Sequence, residues 1–195
     1  MKIPKKIIIG LTGKIACGKG VTKQYILSKY GDRAADYRFS TILRDILKRL
    51  NVETGRENLQ KVSLALRTEF GDDLLAKAIA KDIEEDKHEI VVIDGIRRLN
   101  DIKYLRKIHG FILIRIVAEE KLRFMRVVFR NENAGDNEKT FDDFLNDEKA
   151  EAEAEIPRVM AKAEMEIYNE DTMVELEKNI DKVLAKIRTD YNYPI

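Results

Sequence analysis

The chain has 195 residues, 44% of them hydrophobic, which suits one soluble core. Its 36 basic and 35 acidic residues leave a formal charge of +1, so no long-range field draws it to nucleic acid or an anionic membrane. A single cysteine, Cys17, excludes an internal disulfide, neither His88 nor His109 stands at zinc-site spacing from it, and no apolar run reaches the ~18 residues of a bilayer span.

The opening MKIPKK is too short for a secretory signal, so a reducing, cytoplasmic setting is the expectation. Short β-rich runs then alternate with helical patterns. KKIIIGLT (5–12), AADYRFS (34–40), EIVVIDG (89–95) and FILIRIVA (111–118) read as strands, and EMEIYNE (164–170) as an edge strand. Runs 7–9, 90–93 and 111–117 are almost continuously apolar, as strands covered on both faces must be. The alternation predicts an α/β fold with a parallel sheet between helical layers.

Several helices are legible between the strands. Leu59, Val62, Leu66 and Phe70 share helical spacing, with Thr54 and Glu57 as a capping box before them. A second helix runs from Asp72 to about Lys87 with Leu75, Ile79 and Ile83 inward. Residues 131–139, NENAGDNEK, read as a polar loop, after which Thr140 and Asp143 restart a helix whose acidic run ends at Pro157. Thr172 and Glu175 cap a terminal helix carrying Leu176, Ile180, Val183 and Ile187 on one stripe. There are no repeats and no linker, so the expectation is one domain.

Chemistry concentrates in GKIACGKG, residues 13–20, which follows the first strand and opens a helix. Gly13, four residues, Gly18 and Lys19 match the phosphate-binding loop at every fixed position except the last, where Gly20 replaces Ser or Thr. Glycines let successive N–H groups face one anion, the following helix adds its positive end, and Lys19 reaches the β and γ phosphates. The competing reading is a glycine turn with a solvated lysine; the placement between strand and helix favours the cradle. Backbone contacts to phosphate are thus expected from Gly13, Lys14, Ile15, Ala16, Cys17, Gly18, Gly20 and Val21. Lys14 is an extra phosphate contact or a solvated side chain. Asp94 ends the third buried strand, where an acid can hold Mg²⁺ directly or through water. Because Gly20 lacks a hydroxyl, no direct protein ligand to the metal is expected, and Asp94 acts through water.

With GKIACGKG, the Leu43-Arg44 pair and Asp94-Gly95-Ile96-Arg97-Arg98, the chain resembles the P-loop nucleoside monophosphate kinase family. It is closer still to archaeal proteins described as adenylate kinase-like or dephospho-coenzyme A kinase-like, through ENLQKVSLALR (57–67), VVIDGIRRLND (91–101) and residues 163–171. The resemblance implies a three-layer fold around a five-stranded parallel sheet. Its core would be 1–39, 89–125 and 163–195, with an acceptor-binding helical insertion at 40–88 and a lid at 126–162. It implies ATP and Mg²⁺ as cofactors, a small nucleotide as acceptor, and a monomer or homodimer. Arg44, Arg97 and Arg98 would hold the acceptor's phosphate, and Arg126 and Arg130 would contact ATP and the migrating group. Gln60 and Asn100 are candidate readers of the base.

One chemical argument addresses the acceptor. A phosphate monoester is already an anionic nucleophile, whereas a ribose hydroxyl, as in dephospho-coenzyme A, benefits from a carboxylate base. Kinases of that coenzyme precursor carry the base four residues before the helix arginine, which here is Ser40. The expectation is therefore phosphoryl transfer to a nucleoside or deoxynucleoside monophosphate. The alternatives are dephospho-coenzyme A kinase, with Asp36 as base if the strand ends early, and a nucleotide-binding switch ATPase.

Overall fold

A computed structural model describes residues 6–130, 136–149, 154–191 and 193. Five parallel strands, β1 (Ile7–Thr12), β2 (Ala34–Arg38), β3 (Ile90–Asp94), β4 (Phe111–Val117) and β5 (Met165–Tyr168), form one sheet in the order β2-β3-β1-β4-β5. The first, third and fourth are central and are almost continuously apolar. The two edge strands are the more polar ones, because edge positions leave a flank near solvent. Leu11 pairs with Asp94 and Asp94 with Arg38, so the carboxyl ends of β1, β3 and β2 stand level.

Alternation along each strand splits the core in two. Ile7, Ile9, Leu11, Val92 and Ile114 face α1 (Lys19–Tyr30) and α9 (Met173–Asp190), which contribute Ile26, Leu176, Ile180, Leu184 and Ile187. Ile8, Val91, Ile93 and Leu113 face the other layer: α2 (Phe39–Arg49), α4 (Leu74–Glu85), α5 (Leu99–Leu105) and α8 (Ile156–Met160). Each fully covered isoleucine contributes roughly 1.5–3 kcal/mol. The remaining helices are α3 (Arg56–Phe70), α6 (Glu120–Arg130) and α7 (Phe141–Glu148). The α/β expectation and its five-stranded parallel sheet are met.

Several local expectations are not. β2 stops at Arg38 rather than residue 40, because Phe39, Leu43 and Leu47 recur at helical spacing and bury together in α2. The Thr54–Glu57 box does not form: Gly55 caps α3, which puts Glu57 at the second helical position, where it pairs with Lys61 at 2.6 Å. Phe70 is 65% exposed, since the chain leaves α3 at Gly71 before that side chain reaches the core. On α9 the buried stripe takes Leu184, with Val183 only partly covered. Pro157 does not end a helix but lies in the first turn of α8, where its missing N–H would have had no intrahelical partner. The Thr140–Asp143 capping box forms as expected. Of the loop expected at 131–139, residues 131–135 lie outside the described residues, as does the acidic stretch 150–153, while Asp136–Glu138 form a 3-10 turn.

Candidate phosphate-binding site

The turn from β1 into α1 is packed so closely that its glycines at 13 and 18 leave no room for a side chain. Gly18 caps α1 with φ 105°, a left-handed conformation, and a Cβ there would stand 2.1 Å from Asn169 Nδ2. Ala16 is also left-handed, at φ 58°. At Gly13 a Cβ would meet Cys17 Sγ at 2.6 Å and the Ile116 carbonyl at 2.7 Å. The α1 N-terminus has no side-chain cap and no acidic residue in its first turn. Lys19 Nζ donates to the carbonyls of Gly13 (2.7 Å) and Lys14 (3.1 Å), with Cys17 Sγ at 3.7 Å. These are acceptors, so the ammonium consumes none of the loop's N–H donors.

Next to the loop, Lys14 is paired. Its Nζ donates to Glu148 Oε2 of α7 at 3.0 Å, and Glu148 also accepts from Arg123 of α6. Arg123, buried, donates further to the Ile15 and Ala118 carbonyls and lies 5.4 Å over the Phe144 ring. A cavity of about 290 Å³ adjoins this cluster, lined by Lys14, Glu120, Glu148, Lys149, Ile156 and Pro157. Arg123 and Glu148 carried no motif signal; their roles arise from contacts across the chain.

The end of β3 forms the opposite wall. Asp94 lies 3.5 Å from Arg38 Nε, and the same nitrogen is 3.7 Å from Asp36. Asp36 in turn accepts from Lys23 of α1 at 2.6 Å, an ammonium carried on a fully buried stem. Thr12 Oγ1 donates to the Ile96 carbonyl at 2.9 Å, tying the turn after Asp94 to β1. That turn needs Gly95 at φ 83° and then presents Arg97, exposed, and Arg98, the residue before α5. Below it Arg67 and Asp101 form a buried ion pair at 3.2 Å. Burial pushes the Asp101 carboxyl up to about 6 against the opposing pull of Arg67.

The remaining candidates are spread more widely. Arg126 reaches the site through Asn169: its Nη2 donates to the Asn169 carbonyl (3.0 Å) and Oδ1 (3.1 Å), while Nη1 is buried with no hydrogen-bond partner among the described residues. Burial lowers the Arg126 guanidinium below its ordinary value, an effect the Cys17 side chain partly offsets. Such an orphaned donor beside the loop suits an anion. Gly20 has no atom within 4 Å of where a Cβ would stand, so the side of α1 facing solvent at that point is open. Val21 is 40% exposed, whereas Thr22 is buried with its hydroxyl unpartnered. Ser40 lies in the first turn of α2 rather than at a strand end. Arg44 is exposed on α2 and contacts the Thr54 carbonyl at 3.5 Å, and Arg130 is the exposed last residue of α6. Arg38, Lys23 and Asn169 were not singled out from sequence; each is an ordinary polar residue until the sheet order sets it beside the loop.

No protein-family model matches the chain. It is 30% identical over 157 residues to a UPF0200 protein of Thermococcus gammatolerans, covering 76% of this chain and 82% of the relative. The UPF0200 protein MJ1399 of Methanocaldococcus jannaschii is 29% identical over 183 residues, covering 93% and 90%. Among solved structures, a shikimate kinase from Bacteroides thetaiotaomicron superposes with a TM-score of 0.61 at 12% identity, over 93% of this chain and 98% of that one. A gluconokinase from Sinorhizobium meliloti 1021 gives 0.59 at 14%, over 96% of each. TT1252 from Thermus thermophilus gives 0.56 at 20%, over 95% and 98%. At these identities the structural likeness is one of fold: a parallel five-stranded sheet with helices on both faces. Three-tenths identity over four-fifths of a relative's length is more than shared architecture, and by it the chain belongs to the UPF0200 family.

Proposed function

We propose that the protein is an ATP-dependent phosphotransferase that moves the γ-phosphate to a nucleoside or deoxynucleoside monophosphate. The observation that carries this reading is the loop at residues 13–20. Lys19 claims the carbonyls of Gly13 and Lys14, the Cys17 N–H donates to the Lys14 carbonyl at 3.3 Å, and the uncapped, acid-free start of α1 is left to meet an anion. In this reading Lys19 leaves those carbonyls for the β and γ phosphates, and Lys14 and Arg126 add donor contacts. Arg44, Arg97 and Arg98 grip the acceptor's phosphate, and Arg130 steadies the moving group. Asp94 would hold, through water, a magnesium ion carried with the triphosphate, which when bound would supply charge neutralisation at the migrating group. Residues 1–39, 89–125 and 163–195 are the core, 40–88 covers the acceptor and 126–162 is the lid, all in one cytoplasmic domain.

The charge at the end of β2 supports a phosphate-bearing acceptor. Beside Asp94 stands a guanidinium, Arg38, and the nearest other acid, Asp36, is held by Lys23. Arg38 and Lys23 balance the two carboxylates, so a monoester dianion meets no net repulsion at this wall and brings its own nucleophilic oxygen, whereas a hydroxyl would find its base occupied.

A hydroxyl acceptor is the second reading. β2 does end two residues early, the condition under which Asp36 could serve as base, and its side chain is 38% exposed. Two structural neighbours are named for shikimate and gluconate kinases. A coupled ADP-release assay across AMP, CMP, deoxynucleoside monophosphates, dephospho-coenzyme A, shikimate and gluconate decides. Turnover on a monophosphate is expected. Turnover confined to the hydroxyl acceptors overturns the acceptor assignment, and absence of MgATP binding overturns the whole reading.

A further inference from the structure

Asn169 follows β5 directly and is 7% exposed, an uncommon burial for an uncharged amide unless every polar atom is engaged. Its polar groups are engaged on three separate elements. The backbone N–H donates to the Val117 carbonyl at the end of β4 (2.8 Å). The side-chain Nδ2 donates to the Cys17 carbonyl in the loop (2.9 Å). Its carbonyl and Oδ1 both accept from Arg126 Nη2 of α6 (3.0 and 3.1 Å). The amide also lies against Gly18 so closely that no side chain fits between them, a Cβ there being 2.1 Å from Nδ2.

The consequence for the loop follows from peptide planarity. In a trans peptide the C=O and the next N–H point in opposite directions. A hydrogen bond that holds the Cys17 carbonyl toward Asn169 therefore turns the Gly18 N–H away from it. Gly18 is the residue least able to fix this orientation itself, because a glycine at φ 105° has many conformations open to it. The same side chain, through Oδ1, also sets one edge of the Arg126 guanidinium, whose other terminal nitrogen is the buried Nη1, without a partner among the described residues.

We propose that Asn169 is a positioning residue of the donor site. Its amide is a splint that fixes the Cys17–Gly18 peptide and the Arg126 guanidinium relative to one another, so that a backbone N–H and a cation meet the same polyphosphate. The inference rests on the reading of residues 13–20 as the nucleotide cradle. Asn169 touches no reacting atom in this account; it acts through Gly18 and Arg126.

The test compares wild type, Asn169→Ala, Asn169→Asp, Arg126→Ala and the Asn169→Ala/Arg126→Ala double variant. MgATP binding is measured by calorimetry, KM for MgATP and for the acceptor by steady-state kinetics, and amide exchange at residues 16–18 by mass spectrometry. Asn169→Asp keeps the size and the Oδ1 acceptor but loses the donor to Cys17, so it answers the question even if Asn169→Ala does not fold. Expected are at least a tenfold weaker MgATP affinity in both, faster exchange at residues 16–18 without nucleotide, an acceptor KM within twofold of wild type, and a double variant losing less than the product of the single losses. A folded variant with wild-type MgATP affinity and exchange overturns the inference, as does a parallel loss of donor and acceptor binding, which marks a general structural role. If wild type itself takes up no MgATP, the cradle reading fails, and unchanged exchange at residues 16–18 in the variants then sinks the splint separately.

Discussion

Glu148 of α7 and Lys14 of the loop are joined at 3.0 Å across 134 positions of sequence, and the same carboxylate accepts from buried Arg123. Two cations beside the proposed cradle thereby share one carboxylate from the region proposed as the lid.

Removing that charge should favour a bound anion. Glu148→Gln keeps an acceptor for Arg123 but releases Lys14 from a charge-assisted bond, at a stability cost of about 1–2 kcal/mol. MgATP affinity is expected to rise about three- to tenfold at low salt, with the gain shrinking as salt screens the exposed lysine. Calorimetry at two ionic strengths checks this, and a weaker affinity would mean that Glu148 instead helps assemble the site.

The two glycines flanking Lys19 should respond in opposite ways. Gly18→Ala places a Cβ in a left-handed backbone and 2.1 Å from Asn169 Nδ2, so a loss of about 1–3 kcal/mol of stability and most MgATP binding is expected. Gly20→Ser meets no atom within 4 Å and should shift stability by less than about 0.5 kcal/mol. It also restores the hydroxyl that the loop pattern carries there, so its preference for MgATP over metal-free ATP should widen. Thermal denaturation and calorimetry with and without magnesium read both.

Arg38 should report on the acceptor. With Arg38→Gln, KM for the acceptor monophosphate is expected to rise about tenfold or more, while MgATP affinity moves less than threefold, because the guanidinium belongs to the wall at Asp94 rather than to the loop. Equal losses on both sides would assign Arg38 to holding Asp94 in place.

Asp101 makes an unusual contribution to pH dependence. Its folded carboxyl stands near 6 and its unfolded one near 3.8, so between those values the folded chain retains a proton that the unfolded chain has released. This group's stabilisation is therefore greatest at low pH and is lost as pH rises through about 4 to 6. Asp101→Asn imitates the protonated form and cannot titrate there. The stability advantage of wild type over the variant should shrink from pH 4 to pH 7.5, by an amount on the order of 2 kcal/mol. Urea denaturation across that range tests it, and an advantage that grows with pH would show that the attraction of Arg67 outweighs desolvation.

The sequence by itself determined the features that depend on near neighbours in the chain. Continuous apolar runs such as IVVI and FILI mark strands buried on both faces, and the spacing of Gly13, Gly18 and Lys19 marks the loop, because both are encoded within a few residues. The boundaries of β2 and α3 were less legible. Phe39 and Glu57 each fit two local patterns, and packing against the sheet chose between them. Only the tertiary structure decided what faces the loop. Sheet order brought Asn169 to Cys17 across 152 positions and Arg38 to Asp94, and the docking of α7 set Glu148 on Lys14. In each pairing the partner brought in, Asn169, Arg38 or Glu148, is a single polar residue that carries no periodicity and no motif, and its energy depends on distance and burial, quantities that exist only once the chain has closed on itself.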